Sequence, residues 1–174
     1  MRRLLKADRR LVRSVSMTTR SVRRGERYGR EYFFVTPAQF AAARRRGALL
    51  ECAQVLNHWY GTPRRFIEAA RQRGRDVLLG IDVQGARRLK RSGYPAVTMF
   101  IQPPSLRVLR QRLRQRGTET PLQIRERLVL ARLELRCVPE YDYVVVNDRL
   151  RDAVAQLQAI VKAERCRVRP AWTG

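Results

Sequence analysis

Two apolar rhythms run along this chain. Residues 76–82 (DVLLGID), 96–101 (AVTMFI) and 143–146 (YVVV, ending at Asn147-Asp148) are short, nearly unbroken apolar runs. Runs of that kind predict strands covered on both faces, as in a parallel sheet. Elsewhere the period is helical. Residues 107–116 and 122–136 form two arginine-studded amphipathic stretches joined at Gly117-Thr118-Glu119. Helix starts are marked by Thr36-Pro37-Ala38-Gln39 and Thr120-Pro121-Leu122-Gln123, each a threonine cap, a proline in the first helical position and a glutamine three residues on. Thr62-Pro63 predicts a further start, with a helix to about residue 73, and Gly47 and Gly74 predict C-terminal stops. Alternation of strand and helix after residue 75 implies a parallel sheet with right-handed crossovers. Residues 32–55 instead place short strands around one helix, which predicts an insert.

Composition narrows the class. A length of 174 residues suits one domain. The 38 basic residues outnumber the 15 acidic ones for a net charge of +23, and only Lys6, Lys90 and Lys162 are lysines. Such a surface attracts polyanions, but charge by itself specifies neither fold nor ligand. Cys52, Cys137 and Cys166 are odd in number and lack a C-x-x-C spacing, which predicts a reducing compartment without disulfides or a zinc site. His58 is the single histidine and is expected in a loop or at a rim. Residues 1–15 lack the apolar core of a secretory signal, and no stretch approaches the ~20 apolar residues of a membrane span. The expectation is a soluble cytoplasmic protein that does not touch a membrane.

Certain positions carry chemistry. Asp82 follows an apolar run, where the carboxyl ends of parallel strands face a ligand crevice. Such an aspartate can hold a water on Mg²⁺, or it can cap the next helix; both readings stay open. Gly80 and Gly85 have the spacing of a phosphate loop, but Ala86-Arg87 follow in place of Gly-Lys-Ser, and no G-x-x-x-x-G-K-[ST] occurs in the sequence. Arg20, Arg23, Tyr32 and Tyr60 supply guanidinium forks and hydroxyls suited to phosphate oxygens. Glu51 is a single charge in an apolar strand run, Leu49-Leu50-Glu51-Cys52-Ala53. A buried carboxylate needs donors; guanine has two adjacent ones, and adenine presents an acceptor at the equivalent ring nitrogen.

Together these pieces resemble guanylate kinase. The matching stretches are SVSMTTR (14–20) with Arg23 and Gly25-Glu26, EYFFV (31–35), Leu50-Glu51-Cys52-Ala53, Tyr60-Gly61-Thr62-Pro63, DVLLGIDVQGA (76–86), Ile101-Gln102-Pro103-Pro104-Ser105, Arg116-Gly117-Thr118, and 140–143 through Asn147-Asp148. The resemblance covers residues 13 to 164. It implies an α/β fold: a parallel-sheet P-loop nucleoside-monophosphate-kinase-like core (1–16, 64–106 and 138–174), a small mixed GMP-binding insert (17–63) and a helical lid (107–137). It implies transfer of the γ-phosphoryl of ATP to GMP, giving ADP and GDP, with Mg²⁺. By similarity Arg20, Arg23, Tyr32 and Tyr60 hold the GMP phosphate, and Ser16, Glu51 and Thr62 surround guanine. Asp82 is the metal-associated aspartate. Arg112, Arg116 and Arg127 close over the transferred group, with Arg112 and Asn147 on the ATP side.

The family's first strand and phosphate loop have no counterpart here, so the full product is expected to begin upstream of Met1. The chain as it stands is expected to bind GMP better than ATP and to transfer phosphate poorly. Gly80 and Cys52 depart from the family's usual acidic and aromatic residues. Two other readings stay open: a catalytically inactive GMP- or partner-binding module of the same fold, and a basic nucleic-acid-binding protein. Against the latter, aromatic residues are few (7%) and are not interleaved with the basic helices, so base stacking there is not expected.

Overall fold

The computed structural model describes residues 1–168. It divides into two units, Met1–Ala96 and the chain from Val97 onward. In the first, a short helix α1 (Arg2–Ala7) leads into β1 (Leu11–Arg13). β1 pairs in parallel with β6 (Asp76–Leu78), in the register Leu11↔Asp76 to Arg13↔Leu78. Between them in sequence lies a four-stranded sheet of β2 (Met17–Thr18), β3 (Phe33–Phe34), β4 (Leu49–Val55) and β5 (His58–Pro63), in the order β3-β2-β5-β4. Helix α2 (Pro37–Arg45) covers one face of it, burying Phe40, Ala43 and Leu49 against Met17, Val35, Cys52 and Trp59. The capping box read from Thr36 and Gln39 is present: each residue's side chain bonds the other's backbone N–H.

β4 and β5 form a hairpin closed by two residues, Leu56 and Asn57, both at positive φ (46° and 65°). That geometry matches the twist of paired strands and fixes their register. A bulge between Leu49 and Glu51 interrupts the ladder. It adds one residue to β4, and Leu49, Leu50 and Glu51 are all buried. Leu49 packs in the α2 core, and Leu50 packs with Ile67 and Leu89 in a second one. Ile67 belongs to α3 (Arg64–Gln72) and Leu89 to α4 (Val83–Arg91).

Two sequence readings need correction. The strand expected over 76–82 ends at Leu78, and Gly80 lies exposed beyond it, in a loop that leads to the cap of α4 while Leu79 and Ile81 pack against the second core. Thr62 and Pro63 belong to β5, so α3 begins one residue later, without a side-chain cap. β6 pairs with β1, and β7 (Met99–Gln102) with β8 (Tyr143–Val146), both in parallel.

In the second unit β7 and β8 are parallel, register Met99↔Tyr143 to Gln102↔Val146. Asp142 anchors the start of that pair, its Oδ2 accepting from both the backbone N–H and the hydroxyl of Thr98 at 2.7 Å. Helices α5 (Leu106–Arg116) and α6 (Pro121–Leu135) form an antiparallel pair turned by Gly117, whose φ of 64° is left-handed. The C-terminal helix α7 (Leu150–Cys166) buries Ala153, Leu157 and Val161, a four-residue spacing that gives it one apolar face. No helix among the described residues is long and apolar enough to cross a membrane.

Candidate nucleotide site

The hairpin builds an enclosed polar pair. Glu51 pairs with Thr62 across β4 and β5, and the Thr62 hydroxyl donates to Glu51 Oε1 at 2.5 Å. Glu51 is 7% exposed and Thr62 0%. Burial pushes the Glu51 carboxyl above its ordinary range; the Thr62 hydrogen bond opposes this, nearby Asp82 adds to it, and the charge of Arg88 opposes it. A carboxylate so placed favours a ligand that brings hydrogen-bond donors. Ser16, half-buried, lies just ahead of β2, its carbonyl accepting from the Phe33 N–H at 2.8 Å.

Two residues along β5 from Thr62, and so on the same face of the strand, stands Tyr60, paired with Thr18 of β2. The Tyr60 ring lies 5.8 Å from that of Tyr32. The guanidinium of Arg20 sits 5.5 Å from the Tyr32 ring centre and 5.8 Å from that of Phe34. Arg20, Tyr32 and Tyr60 are therefore gathered in one cluster. Glu26 organises it: its two oxygens accept from Arg20 Nη2 at 2.8 and 2.9 Å, and Oε2 also accepts from the Arg23 backbone N–H at 2.9 Å. Burial raises the Glu26 carboxyl, but the Arg20 and Arg23 bonds outweigh it and hold the group below its ordinary range. Arg20 is shifted upward: burial opposes its charge and is outweighed by hydrogen bonds with Glu26 and Tyr60. Arg23 is exposed beside this cluster.

Asp82 caps α4, its Oδ1 accepting from the Gly85 N–H at 2.8 Å. The capping reading is thus realised, and the carboxylate is also close enough to raise Glu51. Among the described residues no group of three histidine, cysteine, aspartate or glutamate side chains is placed to hold a metal.

In the second unit Arg112 of α5 donates to two backbone carbonyls, Asn147 at 2.6 Å and Asp148 at 2.9 Å. Arg112 and Asn147 are therefore brought together. Arg127 of α6 pairs with Glu119 at 3.3 Å, and Arg116 is exposed in the last turn of α5. Sequence reasoning gave no individual role to Glu26, Gly85, Arg88 or Glu119. For Gly85 a signal existed: a glycine in the first turn of a helix, where alanine is the better former, marks a close approach.

The folded chain is a P-loop nucleoside-monophosphate-kinase-like α/β protein, a class that moves phosphoryl groups between nucleotides. Residues 2–164 match the guanylate kinase family model, and the chain belongs to that family. It is 48% identical over 163 residues to guanylate kinase of Deinococcus radiodurans, a match covering 92% of this chain and 68% of that protein. It is 49% identical over 158 residues to the Thermus thermophilus enzyme, covering 91% and 72%. The crystal structure of guanylate kinase from Anaplasma phagocytophilum superposes with a TM-score of 0.82 at 33% identity, covering 96% of this chain and 81% of that one.

Proposed function

We propose that this phosphotransferase takes GMP as acceptor and ATP as donor, giving GDP and ADP. The observation that carries the acceptor side is the buried Glu51–Thr62 pair, with the Arg20–Tyr32–Tyr60 cluster on the same sheet. A buried carboxylate selects a base with adjacent donors. Guanine fits; adenine would set a ring-nitrogen acceptor against it. Ser16 and Thr62 complete the base side, while Arg20, Arg23, Tyr32 and Tyr60 take the phosphate.

Residues 17–63 are the GMP-binding insert and 107–137 the lid, with the rest the core. Arg112, Arg116 and Arg127 neutralise charge on the transferring group as the lid closes and excludes water. Asn147 serves the ATP side. Mg²⁺ suits a site of this kind, since it commonly takes one carboxylate, waters and substrate phosphates in place of an all-protein cage. Asp82 is the residue to hold it, and the ion would supply charge neutralisation on the phosphates. Three cysteines without a disulfide suit a cytoplasmic setting.

The test is isothermal titration of the chain with GMP, AMP, CMP and UMP, followed by a coupled assay of ADP release with ATP and Mg²⁺. Preference for GMP with slow but measurable turnover is the expected result, since no G-x-x-x-x-G-K-[ST] loop occurs in the sequence to hold the ATP phosphates. GMP binding without turnover would favour the inactive module, and no discrimination among the four would sink the proposal. Binding to oligonucleotides that falls steeply with salt and outcompetes GMP would favour the polyanion-binding reading.

A further inference from the structure

We infer that Gly85 is a positioning residue for base recognition, its lack of a side chain setting where the Glu51 carboxylate stands. The inference rests on the reading of Glu51 as the guanine-selecting group. A β-carbon at position 85 would lie 2.6 Å from Glu51 Oε2, 3.2 Å from Glu51 Cδ and 3.2 Å from Asp82 Oδ1. No carbon sits 2.6 Å from a non-bonded oxygen without one of them moving. An exposed glutamate could swing away, but Glu51 is buried, and its other oxygen is tied to Thr62 at 2.5 Å. Gly85 therefore touches both carboxylates in different ways. Its N–H bonds Asp82 at 2.8 Å, and its bare α-carbon leaves the space that Glu51 Oε2 fills.

A purely structural glycine predicts the opposite mutational sign. Gly85 lies within α4 and does not have a positive φ, so the backbone does not require glycine. Alanine there should help the helix, because glycine costs it conformational entropy. The close approach of Glu51 is what makes alanine harmful, and the harm should fall on recognition of the base.

The experiment measures GMP and IMP affinities for the unsubstituted chain, Gly85→Ala, Glu51→Asp and the double variant, with an unfolding midpoint for each. IMP lacks the exocyclic amine, so the GMP/IMP ratio reads the carboxylate. Gly85→Ala is expected to weaken GMP by about tenfold or more and to narrow the GMP/IMP ratio, a change of the size one misplaced methylene produces. Aspartate is one carbon shorter and withdraws the carboxylate, so adding Gly85→Ala to Glu51→Asp should cost under about twofold. An unchanged GMP affinity, an equal loss of GMP and IMP, or the same loss in both backgrounds would overturn the inference. Should Gly85→Ala fail to fold, a folded GMP-binding double variant supports it and an unfolded one overturns it. Failure of the unsubstituted chain to bind GMP would overturn the parent reading as well. Normal GMP binding with an indifferent Gly85→Ala overturns this inference alone.

Discussion

The four-stranded sheet and the α5–α6 helix pair use charge in opposite ways. In the sheet, Glu51 is enclosed and bonded before any ligand arrives, and Arg20 is clamped by Glu26 among aromatic rings. In the helix pair, Arg112 and Arg127 rest on carbonyls and one glutamate, and Arg116 stands in solvent. The proposed function accounts for the difference. Selecting a base requires a desolvated, fixed acceptor, because only a buried polar group left unmet penalises the wrong partner strongly. Closing over a transferring group requires cations that release local partners and engage new ones, which burial would prevent.

The contrast can be broken most sharply at Phe40, which is buried beneath the sheet and stacked on Trp59 with ring centres 5.9 Å apart. Phe40→Ala should cost about 3–5 kcal/mol of stability. Amide exchange should rise across β4 and β5 and remain unchanged in α5 and α6. Equal loosening of the helices would show that the two regions are not independent. Glu51→Ala comes next: GMP affinity should drop about a hundredfold or more, in line with roughly 3 kcal/mol for a buried charged partner, and IMP should lose less. Arg20→Ala should weaken GMP by about tenfold, the range of a charge-assisted bond, and leave guanosine binding unchanged; a matching loss for guanosine would remove Arg20 from the phosphate. In the helix pair, Arg112→Ala should lower ATP affinity by a few-fold, on the order of 1 kcal/mol for one hydrogen-bonding side chain, with GMP affinity untouched. An effect on GMP of the same size would erase the division of labour.

The smallest effects are in pH dependence, and two glutamates of one region should oppose each other. Glu51 is held above its ordinary range, so the native state keeps that proton longer than the unfolded chain does. Its ionisation weakens the fold as pH rises from the ordinary carboxylate range through the native value. Glu51→Gln should therefore unfold at a higher temperature than the unsubstituted chain at neutral pH, with the gap closing in acid. Glu26 is held below its ordinary range, so its contribution is present above that range and lost as pH falls through the native value. Glu26→Gln should accordingly be less stable at neutral pH and converge in acid. Parallel slopes for the two variants in thermal melts would contradict both assignments.

Much of this arrangement was legible from local rules. Thr36 and Thr120 announced α2 and α6 because a capping box is written within four residues. Asp82 was legible as a carboxylate ahead of a helix, and Glu51 as a charge that needed burying. The bulge before Glu51 was not, since an extra residue in a strand leaves no mark on an apolar run and is settled by pairing with β5. The strand at Asp76 ended early for a related reason: Gly80 and the cap at Asp82 draw the backbone out of the ladder, though the residues between remain apolar. Glu26 as the partner of Arg20, and Glu119 as that of Arg127, were hidden by abundance. With so many arginines, sequence cannot say which one a given carboxylate will hold.

The two-residue turn at Leu56-Asn57 also bears on the order in which the molecule assembles. Glu51 and Thr62 are 11 positions apart, and a hairpin of that reach closes in about 1–10 μs, ahead of strand pairings between distant segments. The Glu51–Thr62 pair therefore forms from contacts local in sequence, while the β1–β6 ladder must wait for more than sixty intervening residues to be drawn in. If Glu51 selects guanine as proposed, a newly made chain acquires the means to tell one purine from another early in folding, and pulse-labelled exchange should find the amides of β4 and β5 protected before those of β1.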